Sequence, residues 1–161
     1  GHSPIATRPI LRKTGLCKNP WGIFMRSVFY AVFFLLCATL TQAGVVAKVD
    51  VSEQKMRVYS NGKHLYTWSV STARKGKWTP RGTWSAKHLS RHHKSSLYNN
   101  APMPYSIFYS GNFAIHGTNN ISRLGSPASA GCVRLHPEHA AVLFNMTRNV
   151  GLKNMKVVIR D

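Results

Sequence analysis

The residues best suited to covalent chemistry lie in two short stretches, His116-Gly117-Thr118 and Ser129-Ala130-Gly131-Cys132-Val133-Arg134-Leu135. A thiol attacks a carbonyl as the thiolate. An imidazole beside it can take the proton, lower the thiol pKa and return the proton to a leaving group. Cys132 and His116, sixteen positions apart, are candidates for that pair. Gly131 permits a tight turn at the sulfur, so that the Cys132 amide and its neighbours can face a developing oxyanion. Arg134 falls two residues after Cys132 and shares its face on an extended strand, where a guanidinium fork suits a substrate carboxylate and favours the thiolate. Spacing alone favours reading Cys132 as a small buried apolar side chain.

Positioning these groups requires a scaffold, and the sequence after residue 44 reads as short strands joined by turns. Val45 to Val51 and Lys55 to Tyr59 are β-branched and aromatic runs. Asn61-Gly62 is a hairpin turn, with His64 to Ser71 as the return strand. Thr79-Pro80-Arg81-Gly82 is a turn before a strand from Thr83 to Ala86, and the polar stretch from Lys87 to Asn100 reads as an exposed loop. Tyr105 to Tyr109 and Phe113 to His116 form a second hairpin-like unit, which puts His116 at a strand end. Residues 117–131 are a long Gly/Ser/Asn/Pro/Ala loop, and Cys132 to Leu135 resumes extended structure. Pro137 suits a helix start; Ala140, Leu143, Phe144 and Thr147 share one face, Gly151 closes the helix, and Met155 to Arg160 is the last strand. The fold class expected is mostly β, a sandwich or barrel of short strands with one helix after the cysteine strand.

The N-terminal part differs in character. From Met25 the chain carries Arg26, an uncharged run from Val28 to Leu40, then Thr41-Gln42-Ala43 before Gly44, the order of a secretory signal. The run falls short of the roughly 20 apolar residues that span a bilayer, so no stable membrane span is expected after cleavage. Leu36 precedes Cys37, which argues against lipidation there. The residues before Met25 are neither amphipathic nor periodic. The domain boundaries expected are therefore 1–43 for extension plus signal and 44–161 for one exported, periplasmic or cell-wall-associated domain. That domain keeps Cys132 as its single cysteine, which excludes an intrachain disulfide.

With 22 Lys and Arg against 4 Asp and Glu, a formal net charge of +18, the chain is drawn to polyanions. Nucleic acid is disfavoured as a partner by the signal segment and by the lack of a recognition motif. His88, His92 and His93 lie close in sequence without a Cys or acidic neighbour, so neither a metal nor another cofactor is expected. His136 and His139 read as surface residues near Glu138. Trp68, Trp78, Trp84, Tyr98 and Tyr105 read chiefly as core aromatics, with a place in a binding cleft open to one of them. Arg74, Lys75, Lys77, Arg81, Lys87, Arg91 and Lys94 read as a solvated basic face.

The HGT stretch followed by S-x-G-C-V-R-L resembles the signature of the L,D-transpeptidase catalytic domain of YkuD type. The resemblance extends over Val45 to Ile159 through the opening hairpin, Thr79-Pro80-Arg81-Gly82, Ala101-Pro102-Met103-Pro104-Tyr105, Phe113 to Thr118 and Ser122-Arg123-Leu124-Gly125. It implies a YkuD-like fold, Cys132 as nucleophile, His116 as base, and the Gly117 carbonyl as the group orienting the ring. It further implies Ser129 and Arg134 lining the site and Gly131 contributing to the oxyanion pocket. Family members commonly carry His where this chain has Ala130, which bears on substrate placement or rate. The function implied is acyl transfer on peptidoglycan stem peptides: Cys132 displaces D-Ala from a tetrapeptide, and an amine of a second stem takes the acyl group. A carboxypeptidase using water on the same dyad, and a non-catalytic wall-binding module, remain as alternatives.

Overall fold

Alternation of apolar and polar residues, period two, is what builds the first sheet. In a computed structural model, which describes residues 44–161, β1 (Val45–Asp50) buries Val45, Ala47 and Val49 while Lys48 faces out. β2 (Lys55–Ser60) buries Met56 and Val58 and pairs antiparallel with both β1 and β3 (Lys63–Ser69). The β2–β3 turn holds Asn61 at φ 50° and Gly62 at φ 79°, the left-handed pair that the Asn-Gly dipeptide predicts. β9 (Met155–Arg160) returns at the other end of the chain to pair parallel with β1. It also pairs antiparallel with β4 (Gly82–Ser85), giving the order β3-β2-β1-β9-β4.

The second sheet has the order β5-β6-β7-β8, from β5 (His88–Lys94), β6 (Pro102–Ser110), β7 (Phe113–Gly117) and β8 (Val133–Leu135). β7 and β8 run parallel with His116 opposite Arg134, while the other pairs are antiparallel. Between β8 and β9 lies the helix α1 (Pro137–Val150). Its first turn has Pro137, where the missing N–H is no loss, and its end has Gly151 at φ 84°. Its buried face is Ala140, Leu143, Phe144 and Thr147, the set expected from spacing. Ala140, Leu143 and Phe144 join Ile107, Tyr109, Ile115, Val133 and Leu135 of the second sheet, and Val45, Val58, Val157 and Ile159 of the first, in one apolar cluster. The fold is mostly β, with two sheets and one helix.

One expectation fails. The polar stretch taken as an exposed loop contains β5, which pairs with β6 from His88↔Phe108 to Lys94↔Pro102. Its Ser, His and basic residues carry no strand signal. At a sheet edge, however, backbone pairing to one neighbour suffices, and charged side chains such as Arg91 and Lys94 suit an open edge. The return strand is also shorter than expected, since β3 ends at Ser69. The next residues cross to the second sheet, where Ser71 and Arg134 exchange backbone hydrogen bonds of 3.0 and 2.9 Å and Ala73 bridges to Ser129. The signal segment, Cys37 and everything else expected of residues 1–43 lie outside the described residues.

Candidate active site

The parallel β7/β8 pair positions the chemistry. His116 is the penultimate residue of β7 and is buried; its Nδ1 lies 2.7 Å from the Gly117 carbonyl oxygen. A carbonyl can only accept, so Nδ1 carries the proton and Nε2 is left as a lone pair. Burial holds the imidazole pKa down at about 4, with the charges of Arg134 and His93 pushing the same way and the Gly117 bond opposing them. The ring is therefore neutral near pH 7. Gly117 itself admits no side chain readily, because a Cβ there would lie 3.1 Å from Pro137 Cα and 3.2 Å from Pro104 Cγ.

Cys132 stands just before β8, partly accessible, with Sγ 3.9 Å from the Asn112 carbonyl oxygen. Burial pushes its thiol pKa up, against the pull of an Ala114 backbone hydrogen bond and of Arg134. With the thiol raised and the imidazole lowered, the resting pair is thiol and neutral imidazole. This differs from the thiolate–imidazolium pair that residue types alone suggest, and it couples deprotonation of the sulfur to its attack.

The turn ahead of the sulfur is tightly specified. Gly131 has φ 142°, and a Cβ on it would lie 2.6 Å from Phe113 Cε1 and 2.8 Å from the Trp78 carbonyl oxygen. Its N–H donates to Ser129 Oγ at 3.0 Å, and its carbonyl accepts from Thr79 Oγ1 at 2.9 Å. Gly131 thus supplies the turn while its amide is engaged by Ser129; the Cys132 amide is not drawn into the turn's hydrogen bonds. Ser129 is buried, with its backbone held by Thr72 and Arg74. Arg134 is half-buried on β8, next to His116 in register, and its Nη1 makes only a long 3.5 Å approach to the Ala128 carbonyl.

Cys132, His116, Ser129, Ala130 and Arg134 all open onto one concave cavity of about 670 Å³. Gly117 and Gly131 are not among its lining residues but flank His116 and Cys132 in the chain. Several residues here escaped the sequence reading. Thr79 is fully buried, accepting from Ala73 N–H at 3.0 Å while donating to Gly131, so one hydroxyl ties the β3–β4 connection to the Ser129–Cys132 turn. Asn112 meets the sulfur through its carbonyl. Arg74 is exposed, as expected of the solvated face, and also lines the cavity; Arg81 pairs with Asp161 at 2.6 Å, and Arg91 lies 5.5 Å from the Tyr105 ring centroid. Only Thr79, as part of a Thr-Pro turn, left any trace in the sequence.

The remaining residues separate by environment. Trp68 is buried and Trp84 partly so; Trp78 is 62% exposed, edge-on to Phe113 on the cavity wall, and Tyr98 lines the cavity. His93 also faces the cavity, packed against Phe108 with centroids 5.0 Å apart. Among the described residues no cluster of three or more His, Cys, Asp and Glu is placed to hold a metal ion, and no helix is long and apolar enough to cross a membrane. His136 caps α1, accepting from the Glu138 N–H at 3.4 Å, and His139 stacks on Trp68.

The profile of the YkuD family, described as the L,D-transpeptidase catalytic domain, matches residues 44–159. The chain belongs to this family. An L,D-transpeptidase from Mycobacterium smegmatis shares the fold at TM-score 0.65 and 19% identity, over 74% of this chain and 59% of that one. An L,D-transpeptidase from Stackebrandtia nassauensis superposes at TM-score 0.63 and 23% identity, over 78% and 62%. L,D-transpeptidase 3 from Mycobacterium tuberculosis, solved in complex with a faropenem-derived adduct, does so at 0.63 and 16%, over 74% and 61%. The chain thus spans about three fifths of the length of these L,D-transpeptidase structures. Comparison with curated proteins returns no significant match.

Proposed function

We propose that this protein is an L,D-transpeptidase that joins peptidoglycan stem peptides through an acyl-enzyme on Cys132. The observation that carries the reading is one cavity holding a partly accessible thiol and a buried imidazole whose Nδ1 is committed to a carbonyl. Family membership supports it. A fixed Nδ1–H leaves Nε2 as the basic atom, and a carbonyl performs the orienting task that a carboxylate performs in other triads.

In the first step Nε2 of His116 takes the Cys132 proton as sulfur bonds to the carbonyl carbon of the L,D amide. The oxyanion is met by the Cys132 N–H. Collapse breaks the C–N bond, and the imidazolium returns its proton to the departing D-amino acid. In the second step an amine attacks the thioester, His116 accepts a proton from it, and the thiol is regenerated as the amide forms. Ser129 and Gly131 hold the turn, and Arg134 offers its fork to a substrate carboxylate. Such a substrate lies outside the cytoplasm, which agrees with export by the N-terminal segment and with the basic charge.

A carbapenem carries a strained acyl donor, so incubation followed by intact-mass measurement tests the nucleophile. The expected result is one covalent adduct on the native protein and none on Cys132→Ala. Absence of adduct on folded native protein would instead favour a wall-binding role. Products formed from tetrapeptide with and without an amine acceptor separate transfer from hydrolysis.

A further inference from the structure

The cavity contains a charge imbalance that the acyl-transfer chemistry does not require. Arg74 and Arg134 both line it, and no Asp or Glu is among the residues doing so. The acidic side chains of the described residues are engaged elsewhere. Glu53 pairs with Arg57 at 2.6 Å, Asp161 with Arg81 at 2.6 Å, Asp50 accepts from Ser52 and Glu53, and Glu138 lies 3.9 Å from His136. Each guanidinium has five N–H donors. Arg74 directs Nη1 to the Ser129 carbonyl at 3.3 Å, and Arg134 directs Nη1 to the Ala128 carbonyl at 3.5 Å, leaving most of both forks open. Both are also anchored through the main chain: Arg74 N–H donates to Ser129 O at 2.9 Å, and Arg134 is bonded both ways to Ser71. Arg74 is exposed and Arg134 half-buried, so solvent screens their repulsion, and the open donors of both guanidinium groups remain available to an anion entering the cavity.

We propose that the two arginines select an acyl donor with two free carboxylates, one on each side of the scissile amide: Arg134 holds the C-terminal carboxylate of the leaving residue, and Arg74 holds a carboxylate on the side chain of the acyl residue. The inference rests on the transpeptidase reading and narrows its substrate class. Arg134 follows Cys132 by two residues on one strand face, so its fork lies beside the reacting carbonyl, within reach of the next residue's terminus. Arg74 projects from the β3–β4 connection with Nη1 at the carbonyl of Ser129, three residues before Cys132, so its remaining donors open on the same cavity within reach of the acyl residue's side chain. A peptide with lysine or an amidated diaminopimelate at that position leaves Arg74 unpaired in the bound state.

The test is titration calorimetry on Cys132→Ala protein, which binds without turnover, using synthetic stem tetrapeptides ending in D-Ala. One carries diaminopimelate with its side-chain carboxylate free, the other the same residue amidated there. The free acid is expected to bind about tenfold or more tightly, in line with a charge-assisted hydrogen bond. Arg74→Gln, which retains an amide donor for Ser129, should erase the preference while leaving binding of the amidated peptide within about twofold, and Arg74→Lys should keep part of it. A preference that survives Arg74→Gln, or equal binding of both peptides, overturns the inference and leaves the transpeptidase reading intact. Failure of folded protein to bind either peptide removes both. D-Ala release from the two peptides by the native enzyme at equal rates, at subsaturating concentration, also removes the inference alone.

Discussion

At the scale of single residues, the chemistry of this site depends on where protons rest. His116 is buried and held at about 4, below the ordinary imidazole value of 6.5. Between those values the unfolded chain binds a proton that the native state refuses, so stability contributed by the neutral ring is full above pH 6.5 and is lost as pH falls toward 4. The loss expected over that window is about 3 kcal/mol. Urea denaturation of the native protein at pH 7 and pH 4.5 should register most of it, and His116→Gln should flatten the dependence. The acylation rate follows the same group: it should stay level from pH 7 to near 5 and drop below that, whereas a drop through pH 6 to 7 would assign the base an ordinary pKa. Gly131 provides a second residue-scale prediction. With φ 142° and a Cβ position 2.6 Å from Phe113, Gly131→Ala combines backbone strain with a clash. It should destabilise the fold by about 2–4 kcal/mol, read as a lower urea midpoint, and abolish carbapenem adduct formation.

At the scale of elements, the sulfur is aimed by a connection far from it in sequence. The chain leaving β3 crosses between the sheets at Ser71 to Arg74, and the long loop lies along it. Ala128 and Ser129 N–H donate to Thr72 O at 2.9 and 2.8 Å, and Gly125 N–H donates to Val70 O at 2.8 Å. Gln54, buried at the end of the β1–β2 turn, clasps Thr72 from behind, accepting from its N–H at 2.9 Å. Thr79 closes the arrangement through Ala73 and Gly131. Thr79→Val keeps the volume and removes the hydroxyl, leaving the part-buried Ala73 N–H and the buried Gly131 carbonyl without this partner. The expected cost is about 1–3 kcal/mol, with carbapenem acylation slowed more than a surface control such as Lys63→Ala. Equal acylation rates in the two variants would confine Thr79 to a structural part.

At the scale of the whole molecule, the net charge of +18 acts at a distance from any single contact. It predicts adsorption to anionic polymers that weakens steeply between ~0.05 and ~0.5 M salt, because screening shortens the reach of exposed charges to a few ångströms. Sedimentation with isolated anionic cell wall across that range checks it. Carbapenem acylation, which depends on the cavity, should change far less over the same range.

How much of this was legible beforehand follows from the range of the interactions involved. The Asn61-Gly62 turn, the apolar face of α1, its Pro137 and Gly151 ends and the alternation in β1 and β9 are local patterns, set by backbone sterics and by period 2 or 3.6, and the sequence declares them. Residue type and resemblance to the YkuD signature put forward Cys132, His116 and Arg134, while spacing alone left Cys132 open to a buried apolar reading; the parallel pairing of β7 with β8 is what brings the three to one cavity. β5 was not legible, since its polar residues become a strand only by pairing with β6 at a sheet edge. Arg74 looked like any surface cation, and its place in the cavity depends on the crossover that lays Ala73 beside Ser129, a contact across more than fifty residues. The protonation states were likewise decided by burial, which reversed the ion pair that a Cys and a His suggest on paper. Residue types and local spacing therefore determined which chemistry was available to this chain. Desolvation and long-range backbone pairing, which exist only in the folded molecule, decided which proton sits where and which cations line the cavity.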